Sequence, residues 1–196
     1  IPSQPMMILA ANAPYFAPYS GFFEKAARAD VFVLLDTVQF PRGSTWLSRN
    51  RFKGASGTLW ITVPVWKKGL GLQRIEDVRI CHEGPWAAKL LQSLVQAYRH
   101  APFFEEHFGV WEEVVGKETE RLVDLNRSLI GYLMDALGID ARVVGLSELG
   151  IEARGDALLI ELCRRLGADT YLAQRAAASH LDAGRFREAG LKLDFF

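Results

Sequence analysis

Three groups of residues in the first third of the chain have types and spacing suited to chemistry. Asp36 follows the apolar run 31–35, and a carboxylate at the end of a strand serves as a metal ligand, a hydroxyl binder or a general base. An Asx turn or a helix cap is the plainer use of the same residue. Gln39 lies three positions further on. Trp46-Leu47-Ser48-Arg49-Asn50-Arg51-Phe52-Lys53 combines three cations, an amide and two aromatic rings. Guanidinium groups grip carboxylate or phosphate in a bidentate manner, and an amide orients a polar group. In an extended segment Arg49 and Arg51 fall on one side and Asn50 on the other. With Arg42, positions 41–54 hold four positive charges and no Asp or Glu, so a solvated basic loop is the alternative. The third group begins at Asn12 and continues through Pro14-Tyr15-Phe16-Ala17-Pro18-Tyr19. Its prolines fix φ and hold the aromatics in place, either as a pocket wall or as a rigid cover over the core.

Other chemistries lack their devices. The histidines His82, His100, His107 and His180 are scattered, and no HxxxH, HExxH or CxxC spacing occurs, so no metal site is expected. GxGxxG, GxxxxGK[ST] and GxSxG are also absent, which removes the usual dinucleotide, P-loop and nucleophile-elbow arrangements. Cys81 and Cys163 are far apart, and Cys163 sits in an apolar run as a buried free thiol would. Lys plus Arg and Asp plus Glu both number 23, so no global field recruits nucleic acid or an acidic membrane, and any anion site is local.

These groups must be positioned by a fold. The 196 residues, 49% hydrophobic and 23% charged, suit one globular domain. Residues 1–5 precede Met6 and Met7 and are set aside as a cloning remnant, leaving 6–196 as that domain. No run reaches the roughly 18–20 apolar residues of a membrane span and no signal-peptide series is seen, which points to the cytoplasm. The order strand 7–10, loop, helix 21–29, strand 31–35 reads as a parallel βαβ unit, with Asn12 and Asp36 at the carboxyl ends where α/β proteins bind ligands.

Residues 41–57 read as a long loop, and long loops in compact domains are often functional. Strands at 59–65 and 75–80 with a turn at Lys67-Lys68-Gly69-Leu70-Gly71 read as a hairpin. Trp86, Leu90, Leu91, Leu94, Val95 and Tyr98 recur at helical spacing up to Pro102, and 114–137 reads as one longer amphipathic helix. The tail alternates: strand 142–145, helix 156–166, strand 170–173, helix 177–187 and strand 191–195. The expected fold is α/β, with a central, mostly parallel, Rossmann-like sheet, flanking helices, a small hairpin element and a helical insertion.

The same residues resemble a known family. Pro14, Tyr15-Phe16, Pro18-Tyr19, Gly21-Phe22-Phe23-Glu24-Lys25, Ala29-Asp30-Val31-Phe32-Val33, Asp36, Val38-Gln39-Phe40, Trp46, Arg49-Asn50-Arg51 and Lys53 look like the signature of WbqC-like proteins. Trp60-Ile61-Thr62-Val63-Pro64-Val65, Ala101-Pro102-Phe103-Phe104, Leu125-Asn126 and Leu166-Gly167-Ala168 continue it. The resemblance implies a link to O-antigen, lipopolysaccharide and related surface-polysaccharide biosynthesis. It also implies transfer of an acyl or aminoacyl group, glycyl included, to the amine of a nucleotide-linked amino sugar or a related small metabolite. No cofactor is implied. The acyl donor would be a carrier-protein thioester, an aminoacyl-tRNA or an adenylate.

Such a transfer needs a base for the amine proton and donors for the developing oxyanion. Asp36 is the candidate base and Asn50, with Arg49, the candidate donor. Asn12, Pro14, Tyr15, Phe16, Tyr19, Gln39, Trp46, Arg49, Arg51 and Lys53 are the candidate substrate-binding residues. Ala13 stands where the family usually has Gln and Asn12 where it often has His or Ser, and 42–45 holds an extra residue; a changed substrate or a weakened activity follows if that Gln touches substrate. A non-catalytic accessory module is the second reading. A third is a nucleotide-binding, acyl-activating enzyme, because the opening order is similar to nucleotidyltransferases and class I synthetases, although their first-loop His is missing here.

Overall fold

A computed structural model describes residues 6–54 and 57–196, so the expectation for residues 1–5 lies outside the described residues. The fold is α/β. The strands are β1 (Ile8–Asn12), β2 (Val31–Leu34), β3 (Arg49–Gly54), β4 (Gly57–Thr62), β5 (Arg142–Gly145), β6 (Thr170–Ala173) and β7 (Lys192–Phe195). The helices are α1 (Ser20–Ala27), α2 (Trp86–Tyr98), α3 (Phe104–Gly116), α4 (Leu122–Ala136), α5 (Gly155–Leu166) and α6 (Ala183–Glu188). Among the described residues no helix is long and apolar enough to cross a membrane. The described residues form two compact units, one of residues 6–13, 19–36 and 134–196 and one of 14–18, 37–54 and 57–133.

The first unit is built on a five-stranded sheet, order β5-β2-β1-β6-β7, parallel at every pairing. β1 and β2 are neighbours, with Leu9 opposite Val31 and Asn12 opposite Leu34. Parallel strands covered on both faces read as unbroken apolar runs; every residue of β2 and of β6 is buried. α1 packs Phe22 against Phe32 with ring centroids 5.0 Å apart and nearly perpendicular planes, a favoured aromatic arrangement. α5 ends at Gly167, whose φ of +72° is the left-handed conformation that glycine adopts without strain. Cys163 on α5 is fully buried, and burial pushes its thiol up to about 12. Cys81, in the second unit, is half-buried and also free.

In the second unit β3 and β4 form an antiparallel hairpin from Arg49↔Thr62 to Gly54↔Gly57. The hairpin expected at 59–65 and 75–80 is therefore misplaced. β3 lies inside the expected loop 41–57, and residues 75–77 are a 3₁₀ turn. Among the described residues the isolated Val65↔Ile80 bridge is what remains of pairing between those two segments. The physical reason is that β3 shows one polar face and carries few β-branched residues, so alternation of polar types hides it. The expected single helix 114–137 is two, α3 and α4, separated by a link in which Glu118 has φ +47°. The expected helix 177–187 is a 3₁₀ segment, Arg175–His180, followed by α6. Asp182 forces that break because its side chain caps α6 by accepting from the Gly184 backbone N–H at 2.8 Å.

Candidate functional sites

In the first unit the chain runs β1, β2, β5 outward on one side and β6, β7 on the other, so the order reverses between β1 and β6. Open α/β sheets bind ligands at the carboxyl edge of such a switch point. Asn12 ends β1, Gln174 follows β6, and Tyr19 precedes α1. Gln174 Nε2 donates to the Tyr19 hydroxyl at 2.6 Å. Lys25, on the buried face of α1, reaches back to donate to Asn12 Oδ1 at 3.1 Å. Lys25 is only 5% exposed, and burial lowers its pKa to about 8 because desolvation penalises the ammonium form. The α1 N-terminus carries no side-chain cap, leaving first-turn N–H groups for an external acceptor. Gly21 sits in that turn beneath Tyr19; a Cβ there would meet the ring at 2.6 Å.

Asp36 also follows its strand as expected and is 1% exposed. Its carboxylate accepts from the Ser147 backbone N–H at 2.8 Å and from the Ser147 hydroxyl at 2.7 Å. These bonds tie the end of β2 to the turn after β5.

The remaining expected site residues belong to the second unit. Asn50 is buried, and Nδ2 donates to the carbonyls of Phe16 at 3.0 Å and Ala17 at 2.8 Å. Both amide hydrogens are thus used in holding the Pro14–Pro18 segment. Asn126, fully buried, does the same for Pro14 and Leu47, donating to each carbonyl at 2.8 Å. Pro14 and Phe16 are buried and Tyr15 half-buried; Phe16 packs against Phe52 and Trp111. Gln39 is exposed beside its bridge to Arg74.

The hairpin sorts its side chains by alternation. Asn50, Phe52, Leu59 and Ile61 lie on the inner face; Arg49, Arg51, Lys53, Thr58, Trp60 and Thr62 lie on the outer one. The Arg49 guanidinium lies 4.0 Å from the Trp60 ring centroid, and Arg51 lies 5.4 Å from Trp46 and 5.9 Å from Trp60. Trp46 and Trp60 stack at 5.8 Å with planes 25° apart. Tyr98 of α2 accepts the Lys53 backbone N–H at 2.8 Å, which protects the outer edge of β3. Behind the hairpin a cavity of about 280 Å³ is walled by Phe52, Leu94, Phe104, Phe108 and Trp111, with Tyr98 and His107 as polar members.

Residues 13–196 match the WbqC-like protein family. The chain belongs to that family. Among curated proteins it is similar to a protein of Mycobacterium tuberculosis described as uncharacterized, at 30% identity over 184 residues, which spans 92% of this chain and 78% of the relative. No solved structure matches. In this WbqC-like chain the residue-by-residue reading missed Lys25, Gln174, Ser147 and Trp60 as members of these clusters. Lys25 had a signal, since it occupies the same helix face as the buried Phe22 and Ala26. Gln174 and Ser147 had none, because they come together only through strand order.

Proposed function

We propose that this protein is a biosynthetic transferase that moves an acyl or aminoacyl group onto the amine of a nucleotide-linked amino sugar or a similar small metabolite. The supporting observation is the pair of hydrogen bonds, Lys25 to Asn12 and Gln174 to Tyr19, made by residues at or beside the carboxyl ends of β1 and β6, where the order of the five-stranded sheet reverses. In this reading the acceptor's phosphate is held at the start of α1, beside Tyr19 and Gln174. The acceptor amine attacks the carbonyl carbon, a C–N bond forms, and the bond from that carbon to the donor's oxygen or sulfur breaks. Lys25 takes the amine proton: an ammonium would be useless there, and a pKa of about 8 leaves a usable fraction neutral near neutral pH. Asp36 supports the site by ordering the end of β2 and the turn after β5; Asn50 orders the Pro14–Pro18 segment of the second unit.

The test is thermal shift with uridine- and thymidine-linked amino sugars, followed by mass spectrometry of the acceptor after incubation with acyl thioesters and aminoacyl-tRNA. An acceptor gaining the acyl mass, with turnover lost in Lys25→Met and substrate binding kept, is the expected result. Binding with no mass gain from any donor would favour a second reading, a non-catalytic binding module of a biosynthetic complex. The hydrogen bonds that already occupy Asp36 and Asn50 speak for that reading.

A further inference from the structure

We propose that the outer face of the β3–β4 hairpin binds single-stranded nucleic acid, stacking bases on Trp46 and Trp60 and holding phosphates with Arg49, Arg51 and Lys53. The inference is independent of the transfer reaction proposed above. It rests on the second unit alone.

Exposed indoles are the first observation: Trp46 and Trp60 keep 40% and 47% of their surface in water. Nothing in the core requires them there, since the inner face of the same hairpin already supplies Phe52 and Ile61 to the packing. Two stacked indoles in solvent offer π-faces on which a base can stack in place of a guanidinium that lies over them, because every base has a π-face. The second observation is how the guanidiniums are held. The Arg49 guanidinium carbon lies 4.0 Å from the Trp60 ring centroid on a half-buried side chain, so any hold on an anion falls to its terminal Nη groups and not to the buried Nε. Its Nη1 donates to the Ser44 hydroxyl at 3.3 Å, and among the described residues its Nε has no acceptor. Arg51 is exposed and stands directly opposite Trp60 in the ladder. Arg49, Arg51 and Lys53 repeat at alternate positions, roughly 6.6 Å apart along the strand, so the cations form a row and not a single cradle.

Charge selects the occupant. Between Thr37 and His82 there are eight Lys and Arg residues against Glu76 and Asp77 alone, in a chain of zero net charge. One diphosphate does not need such a row, whereas a strand with a phosphate at every nucleotide does. A duplex offers no exposed base faces to the indoles, which favours the single strand over double-stranded nucleic acid.

The experiment is fluorescence anisotropy of a labelled single-stranded RNA of about ten nucleotides with the whole chain at about 50 mM salt, repeated as salt rises. Parallel titrations use the same sequence as a duplex, unlabelled uridine diphosphate as competitor, and vesicles of phosphatidylcholine and phosphatidylserine. The single strand is expected to bind best, and Arg51→Ala to weaken it roughly ten-fold. The same variant lowers the slope of log affinity against log salt by about 0.7, the value for one lost phosphate contact on a single strand. Trp60→Ala weakens binding at least as much with the slope unchanged, and Arg51→Lys restores the slope while recovering only part of the affinity. Arg165→Ala, in the first unit, leaves binding as it is; circular dichroism melts confirm that each variant folds.

Any of four results overturns the proposal. These are no binding of the strand at the lowest salt, equal losses in Arg165→Ala, displacement of the strand by uridine diphosphate at one equivalent, and vesicle binding that depends on Arg51 while RNA binding does not.

Discussion

At the sheet edge of the first unit an amine is taken out of water and kept on one hydrogen bond, Lys25 to Asn12. On the hairpin of the second unit Arg51 and Lys53 stay in water, and Arg51 and the half-buried Arg49 lie over indole faces. The difference shows two ways of holding a positive charge. Desolvation changes the acid–base character of a group and costs stability; stacking leaves the charge intact and costs little. The first arrangement suits proton transfer and the second suits anion binding.

Replacement of buried amides should give the largest effect. Asn126→Ala strands the carbonyls of Pro14 and Leu47 inside the second unit, and a loss of about 3 to 4 kcal/mol in urea denaturation is expected. A loss below about 1 kcal/mol would mean that water replaces the amide, and that the Pro14–Pro18 segment is not pinned by it.

Lys25 comes next, with the opposite sign. Its pKa is about 8 folded against 10.5 unfolded, so between those values the unfolded chain holds a proton that the folded one lacks, and stability rises with pH. Below pH 8 the full penalty of roughly 3 kcal/mol is present. Lys25→Met is therefore expected to be more stable than the parent at pH 7, with the gap closing towards pH 10.5. Parallel stability curves across that window would contradict the buried-amine account.

Asp36→Asn weakens both bonds to Ser147 and is expected to cost about 2 kcal/mol, with Ser147→Ala costing less and the double variant showing coupling between them. Additive losses would break the pairing. Arg51→Ala should change stability by under about 0.5 kcal/mol, since an exposed side chain is removed from a hairpin whose inner face carries the packing. The contrast between the two regions would fail if this substitution proved as costly as Asp36→Asn.

The two regions also differed in how far the sequence disclosed them. β1, β2 and β6 announced themselves because buried parallel strands are nearly continuous apolar runs, β5 and β7 were placed by the alternation of strands and helices in the tail, and Asn12 and Asp36 fell at the carboxyl ends of β1 and β2 as the pattern required. β3 stayed hidden within a supposed loop because Arg49-Asn50-Arg51-Phe52-Lys53 has one water-facing side made of cations. Even so, alternation alone set Arg49 and Arg51 on one face and turned Asn50 away, as the ladder has them. What no local pattern carried was Asn50's hold on residues 34 and 33 positions earlier, or the meeting of Tyr19 with Gln174, 155 positions apart. Such contacts are made by topology.

The two thiols offer a clock for each half of the molecule. Cys163, buried against the sheet with its pKa near 12, has a thiolate fraction on the order of 10⁻⁴ at pH 8 even before access is considered. Half-buried Cys81 belongs to the other unit. A thiol reagent added to the native protein should therefore consume Cys81 first, and modification of Cys163 should wait on opening of α5 away from its sheet. The lag between the two, followed by mass spectrometry of the alkylated peptides, times the opening of the nucleus of the parallel sheet without altering a residue.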